Sequence, residues 1–132
     1  MDILIESTKG FEKDLDRLSH DEKALVAETI NAHADLFSTQ KAHVFRKLHR
    51  LTLGIDLNGY ESSLYILRVS KGLRIILAVD EDPIFDQVIF TLFRVVNLAD
   101  ATMTYQAIAK SLYQEIVPRK IVRHGQETIQ AS

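Results

Sequence analysis

Three cations, Arg68, Lys71 and Arg74, fall in the run Leu64-Tyr65-Ile66-Leu67-Arg68-Val69-Ser70-Lys71-Gly72-Leu73-Arg74-Ile75-Ile76-Leu77. The β-rich stretches 64–69 and 73–80 flank Ser70-Lys71-Gly72, which predicts a hairpin with a three-residue loop and glycine where a positive φ is commonly needed. Symmetry about that loop pairs Val69 with Leu73 and Arg68 with Arg74. Like charges directly opposite, with Cβ atoms about 5 Å apart, cost stability unless an anion or a carboxylate lies between them. Guanidinium forks match phosphate oxygens in pairs, so a polyphosphate backbone or a pentavalent phosphoryl transition state suits the cluster. Carboxylates from within the fold, such as Asp80, Glu81 or Asp82, are the other way to compensate it.

The elements that must hold this hairpin are legible as patterns. Residues 2–8 read as a first strand bounded by Lys9-Gly10. Phe11, Leu15 and Leu18 at i, i+4, i+7 make a short amphipathic helix over 9–18. Ser19 caps a second helix, with Asp21 and Glu22 in its first turn and Val26, Ile30, His33 and Phe37 along one stripe. His33 in that stripe is expected to be a core or boundary histidine bonded to backbone. Residues 44–53 read as a strand or extended loop, and 54–63, with Asn58-Gly59, as a surface loop. After the hairpin, the acidic turn Asp80-Glu81-Asp82-Pro83 leads into a third strand over 87–96. Tyr105, Ile108, Ala109, Leu112 and Ile116 keep helical spacing from about residue 102 until Pro118. The order β, α, α, β-meander, α implies an α+β domain, an antiparallel sheet with its helices on one face. Residues 1–117 are expected to form the single domain and 118–132 a flexible C-terminal tail.

Composition bounds what such a domain can do. The chain has 132 residues, 46% hydrophobic and 26% charged, with a formal net charge of -2. That is enough chain for one core. It contains no cysteine, which excludes disulfides, thiolate metal sites and cysteine nucleophiles and makes a reducing compartment, the cytoplasm, the expected location. Neither a signal peptide nor an apolar run of roughly 18 residues is present, so no membrane role is expected. Residues 41–77 carry seven Lys or Arg (Lys41, Arg46, Lys47, Arg50, Arg68, Lys71, Arg74) against Asp56 and Glu61, a basic middle in an acidic chain. This points to one anion-binding face, or to lysines and arginines that solvate a sheet edge.

Lys47-Leu48-His49-Arg50-Leu51, followed by the hairpin run above, resembles the "L-x-x-L … Y-x-x-R-V … R-I-I" core of the RelE/ParE toxin superfamily, its RelE-like branch in particular. Phe11-Glu12-Lys13-Asp14-Leu15-Asp16-Arg17-Leu18 is also similar to that family's first helix. The resemblance covers about residues 8–113, element order included. It implies the toxin of a type II toxin–antitoxin pair, silenced by a small cognate antitoxin. RelE-like members cut mRNA in the ribosomal A site without a metal; ParE-like members inhibit DNA gyrase.

Metal-free cleavage needs a base for the 2′-hydroxyl, cations for the phosphorane and an acid for the leaving 5′-oxygen. By the resemblance, Arg74 matches the arginine closing the family hairpin and stabilises phosphate, and Arg68 shares that role; Lys71, from its place beside these arginines, is the candidate base, its other reading being a solvated loop lysine. Tyr105 resembles a family tyrosine that stacks on or orients a base, its other reading being to pack the last helix on the sheet. Lys47, His49, Arg50 and Arg94 are the RNA-binding candidates. Where active relatives carry lysines before the hairpin, this chain has Tyr65 and Leu67, which keeps open a ParE-like gyrase inhibitor or an inactive RelE-like binding module. No cofactor or metal is expected. Gly54 to Gly59 has phosphate-loop spacing without the following Lys-Ser/Thr, and the five histidines show no metal-ligand spacing.

Overall fold

The computed structural model describes residues 1–52 and 62–113. Thr8 both ends the first strand, β1 (Asp2–Ser7), and starts the first helix, α1 (Lys9–Asp16). Its hydroxyl accepts from the Phe11 N–H at 3.2 Å and donates to the Phe93 carbonyl at 2.8 Å, so the cap also ties the helix to the sheet. Ser19 caps α2 (His20–Phe37) as its sequence predicts: it accepts from the Glu22 N–H while the Glu22 carboxylate accepts from the Ser19 N–H, a reciprocal capping box. Val26, Ile30, Ala34 and Phe37 form the buried stripe of α2. His33 sits at its margin, half-buried, its Nδ1 bonded to the Thr29 carbonyl at 2.8 Å, as a boundary histidine should be.

The next segment departs from expectation. Instead of a strand or extended loop over 44–53, the chain makes a third helix, α3 (Lys41–Lys47), and only two strand residues, β2 (Leu48–His49). Packing decides this: Val44 is fully buried, and Phe45 lies edge-on to Phe37 with ring centroids 5.5 Å apart. Arg46 and Lys47 then fall in the last turn, where cations suit the helix dipole.

β3 (Leu64–Arg68), β4 (Leu73–Asp82) and β5 (Gln87–Asn97) form the expected meander, and α4 (Leu98–Tyr113) follows, four residues earlier than its apolar pattern suggests. The fold is α+β, with strand order β1-β5-β4-β3-β2. Two points correct the sequence reading. The sheet is mixed rather than antiparallel throughout, because β1 pairs parallel to β5, Asp2 with Gln87 through Ser7 with Leu92. The helices also occupy both faces rather than one. Tyr65, Leu67, Ile75, Leu77, Val88, Phe90 and Leu92 pack under α1, α2 and α3. Leu64, Ile66 and Ile76 pack under Ala101, Tyr105, Ala109 and Tyr113 of α4. A strand buried on both faces reads as a continuous apolar run, which is what Leu64-Tyr65-Ile66-Leu67 is.

The surface loop expected over 54–63 falls mainly outside the described residues, as do the end of the last helix near Pro118 and the tail over 118–132. Among the described residues, no helix is long and apolar enough to cross a membrane.

Candidate functional site

The β3–β4 hairpin turns over Ser70-Lys71-Gly72 in the expected register, with Arg68 directly opposite Arg74. The Val69 N–H donates to the Leu73 carbonyl at 3.0 Å and closes the loop. Gly72 does not adopt the left-handed φ its type suggests, and a Cβ there would meet nothing within 4 Å. The Gly72 carbonyl instead accepts from the Leu98 N–H at 2.9 Å, joining the loop to the start of α4.

The two guanidinium groups converge on one acceptor. Arg74 Nη1 donates to the Ser70 carbonyl at 2.6 Å and to the Leu73 carbonyl at 3.0 Å, while Arg68 Nε donates to the same Ser70 oxygen at 3.3 Å. One carbonyl thus fixes both side chains and leaves their remaining N–H groups for another acceptor. Among the described residues, Arg68, Lys71 and Arg74 have no carboxylate partner. The acids at the far end of β4 do not compensate them: Glu81 pairs with Lys41 at 2.6 Å, and Asp82 accepts from the Ile84 and Phe85 N–H groups at the opposite turn.

The cation row extends beyond the hairpin. Leu48 pairs with Leu67 and His49 with Ile66, and Lys47, the last residue of α3, immediately precedes that ladder. Arg68 and Arg74 face each other on neighbouring strands about 5 Å apart. Lys47, His49 and Arg68 also line a cleft of ≈ 630 Å³ between α2 and the α3–β2 corner. His33, His43 and Glu28 join them there, over an apolar floor of Ala32, Leu36 and Leu67. His33 must keep its proton on Nδ1, because the Thr29 carbonyl can only accept; Nε2 is then the basic nitrogen of the neutral ring. His43 has the opposite arrangement, its Nδ1 accepting from Arg46 Nη2 at 3.4 Å. Sequence reasoning missed His43 because 41–47 was not expected to be helical; as a helix, that segment puts His43 and Lys47 one turn apart on one face.

Three candidates are drawn into the structure instead. Tyr105 is fully buried and its hydroxyl donates to the Leu64 carbonyl at 2.8 Å, so it packs α4 on the sheet and presents no face for a base. Burial, the leading cause, pushes its hydroxyl pKa above the usual 10.0. Arg94 is held by Asp14 through Nε–Oδ2 at 2.6 Å and Nη2–Oδ1 at 3.0 Å, and the buried Asp14 also accepts from the Val95 N–H. The hydrogen bonding of Arg94 to Asp14, with the arginine donating, is the main cause raising Arg94 further above its ordinary pKa. Its fork is thus spent on α1 and not offered to RNA. Arg50 lies 4.9 Å from the Tyr65 ring centroid and donates from Nη2 to the Tyr65 hydroxyl at 2.9 Å. It braces the chain just after β2 against β3. No group of three His, Cys, Asp or Glu suited to a metal ion occurs among the described residues.

No protein-family model matches the sequence, and no curated protein does. Among solved structures, the chain is similar to a chain of the RelBE2 toxin–antitoxin complex from Mycobacterium tuberculosis, at 18% identity and a TM-score of 0.47 over 74% of this chain and 99% of that one. A chain of the archaeal RelE–RelB complex from Pyrococcus horikoshii OT3 matches at 16% identity and a TM-score of 0.47, over 74% and 96% of the two chains. A chain of the RelB–RelE antitoxin–toxin complex from Methanococcus jannaschii matches at 21% and 0.42, over 75% and 96%.

Proposed function

We propose that this chain is a RelE-like toxin of a type II toxin–antitoxin pair, a metal-independent endoribonuclease that engages ribosome-bound mRNA through the β3–β4 hairpin. The observation that carries the reading is the in-register Arg68–Arg74 pair, oriented by one carbonyl and without a carboxylate partner among the described residues. Two opposed arginines cost the free protein stability, and a phosphodiester placed between them removes that cost. Arg68 and Arg74 would stabilise the charge on the phosphorane, Lys71 at the exposed loop tip would take the 2′-hydroxyl proton in its neutral form with water as the proton source for the leaving 5′-oxygen, and Lys47 would add a further phosphate contact. The cognate antitoxin would silence the protein by covering this row with carboxylates.

A second reading, a ParE-like gyrase inhibitor or an inactive RelE-like module, is favoured by the withdrawal of Tyr105 and Arg94 into the fold, which leaves a site of cations with few groups for proton transfer. Induced expression in a bacterial host of the wild type beside Arg68→Ala/Arg74→Ala separates the two. Growth arrest with new mRNA 5′ ends in the ribosomal A site, lost in the double variant, is the expected result. Arrest with DNA damage and no new mRNA ends supports the gyrase reading, and soluble protein without arrest supports the inactive module.

A further inference from the structure

The cleft between α2 and the α3–β2 corner has a composition the hairpin lacks. Its floor is apolar, from Leu36 and Leu67, and its rim carries the cations Lys47 and Arg68 with the imidazoles of His43 and His49. At ≈ 630 Å³ it falls within the roughly 300–1,000 Å³ of small-molecule sites. Lys47 has no carboxylate partner among the described residues, and Arg68 uses only Nε internally, so both keep donors for an anion. The single acid of the lining is Glu28. A ligand that satisfies floor and rim together has a flat, mainly apolar body and one phosphate-like anion. Imidazole and guanidinium planes at the rim are surfaces on which a base stacks.

We propose that this cleft is a nucleotide-binding site, with the phosphate on Lys47 and Arg68 and the base over Leu36 and Leu67. The inference rests on the proposed function for Lys47 and Arg68, which it shares with the phosphate contacts of that reading, but it needs neither cleavage nor a ribosome. The nucleotide has two sources, a free mononucleotide or one residue of an RNA strand, and both present the same chemistry.

The test is a titration of the full chain with adenosine 5′-monophosphate, followed by the imidazole C–H resonances of His43 and His49 and by calorimetry. Adenosine, inorganic phosphate and a short single-stranded oligoribonucleotide serve as comparison probes. Saturable binding is expected, tighter than for adenosine or phosphate alone, with both imidazoles responding. Lys47→Glu, an exposed change that leaves the core intact, should weaken it about tenfold or more, because one cation is lost and an anion faces the phosphate. Glu28→Gln should strengthen it by about twofold to threefold through the removal of a nearby like charge. Movement of the His43 and His49 resonances by the oligoribonucleotide, lost in Lys47→Glu, assigns the site to an RNA residue; oligoribonucleotide binding that leaves both imidazoles unmoved assigns it to a free nucleotide. Phosphate binding as tightly as the nucleotide would overturn the proposal. So would equal binding by wild type and Lys47→Glu, or tight binding of an acidic apolar peptide with none of the nucleotide.

Discussion

Asp14 and Arg94, 80 residues apart in the chain, meet in a two-pronged ion pair that clamps α1 onto β5, with the carboxylate buried and the guanidinium half-exposed. Arg94→Ala leaves a buried carboxylate with only the Val95 N–H and should cost about 1–3 kcal/mol, the lower part of the range reflecting water access to the arginine side. Urea denaturation of Arg94→Ala, Asp14→Ala and the double variant checks this. The double variant is expected to lose less than the two single losses combined.

Gly10 is coupled to the same pair. A Cβ at Gly10 would lie 3.0 Å from Arg94 Cδ, and Asp14 prevents that side chain from swinging away. Gly10→Ala is therefore expected to destabilise the wild type although alanine is the better helix former. In the Arg94→Ala background the clash is gone, and the same change should stabilise by about 0.5–1 kcal/mol. Equal effects in the two backgrounds would rule out the contact.

The Arg68–Arg74 pair predicts opposite effects on stability and binding. Arg68→Thr removes like-charge repulsion and places a β-branched residue in a strand, so thermal stability should rise by the equivalent of about 0.2–1 kcal/mol. Affinity for single-stranded RNA should fall, with a shallower dependence on salt, since one fewer phosphate is neutralised. A fluorescence anisotropy series at several salt concentrations reads both slope and affinity.

Tyr105 gives the chain a dependence on alkaline pH. Burial raises its pKa in the folded state above the unfolded value near 10.0, so the folded state holds the proton more tightly. The stability this provides is fully present below the unfolded value and is lost as pH rises through the folded one. Unfolding free energy measured from neutral to strongly alkaline pH should fall above about pH 10 in the wild type and fall less in Tyr105→Phe. At neutral pH Tyr105→Phe should cost about 1 kcal/mol for the lost bond to Leu64.

What the sequence made legible was what local rules encode. The hairpin register follows from a short loop between β-rich runs, and the start of α2 follows from Ser19 and Glu22 three residues apart. Helix α3 was hidden because Val44 and Phe45 suit either a strand or a helix, and only burial against Phe37 chooses between them. The parallel pairing of β1 with β5 has no local signature, since residues 80 or more positions apart set it. Among the candidate site residues, the hairpin cations were legible from type and symmetry. Tyr105 and Arg94 were not, because a tyrosine in a helical stripe or an arginine in a strand reads the same whether its polar tip faces solvent or a buried partner. Asp14 falls on the same helix face as Phe11, Leu15 and Leu18, and is the buried anchor for Arg94.

The parallel pairing of β1 also fixes an order of events during synthesis. Asp2 through Ser7 are made before every other described strand, yet their partners, Gln87 through Leu92, belong to the last of them. Until β5 emerges, β1 has no native strand to pair with, and Ile3, which packs against the core in the finished sheet, is left uncovered. The meander can form from contacts close in sequence, whereas closing β1 onto it bears the full loop entropy of the intervening chain. The nascent protein therefore carries its first strand as an open end, and completes its sheet only after nearly all of the domain has been translated.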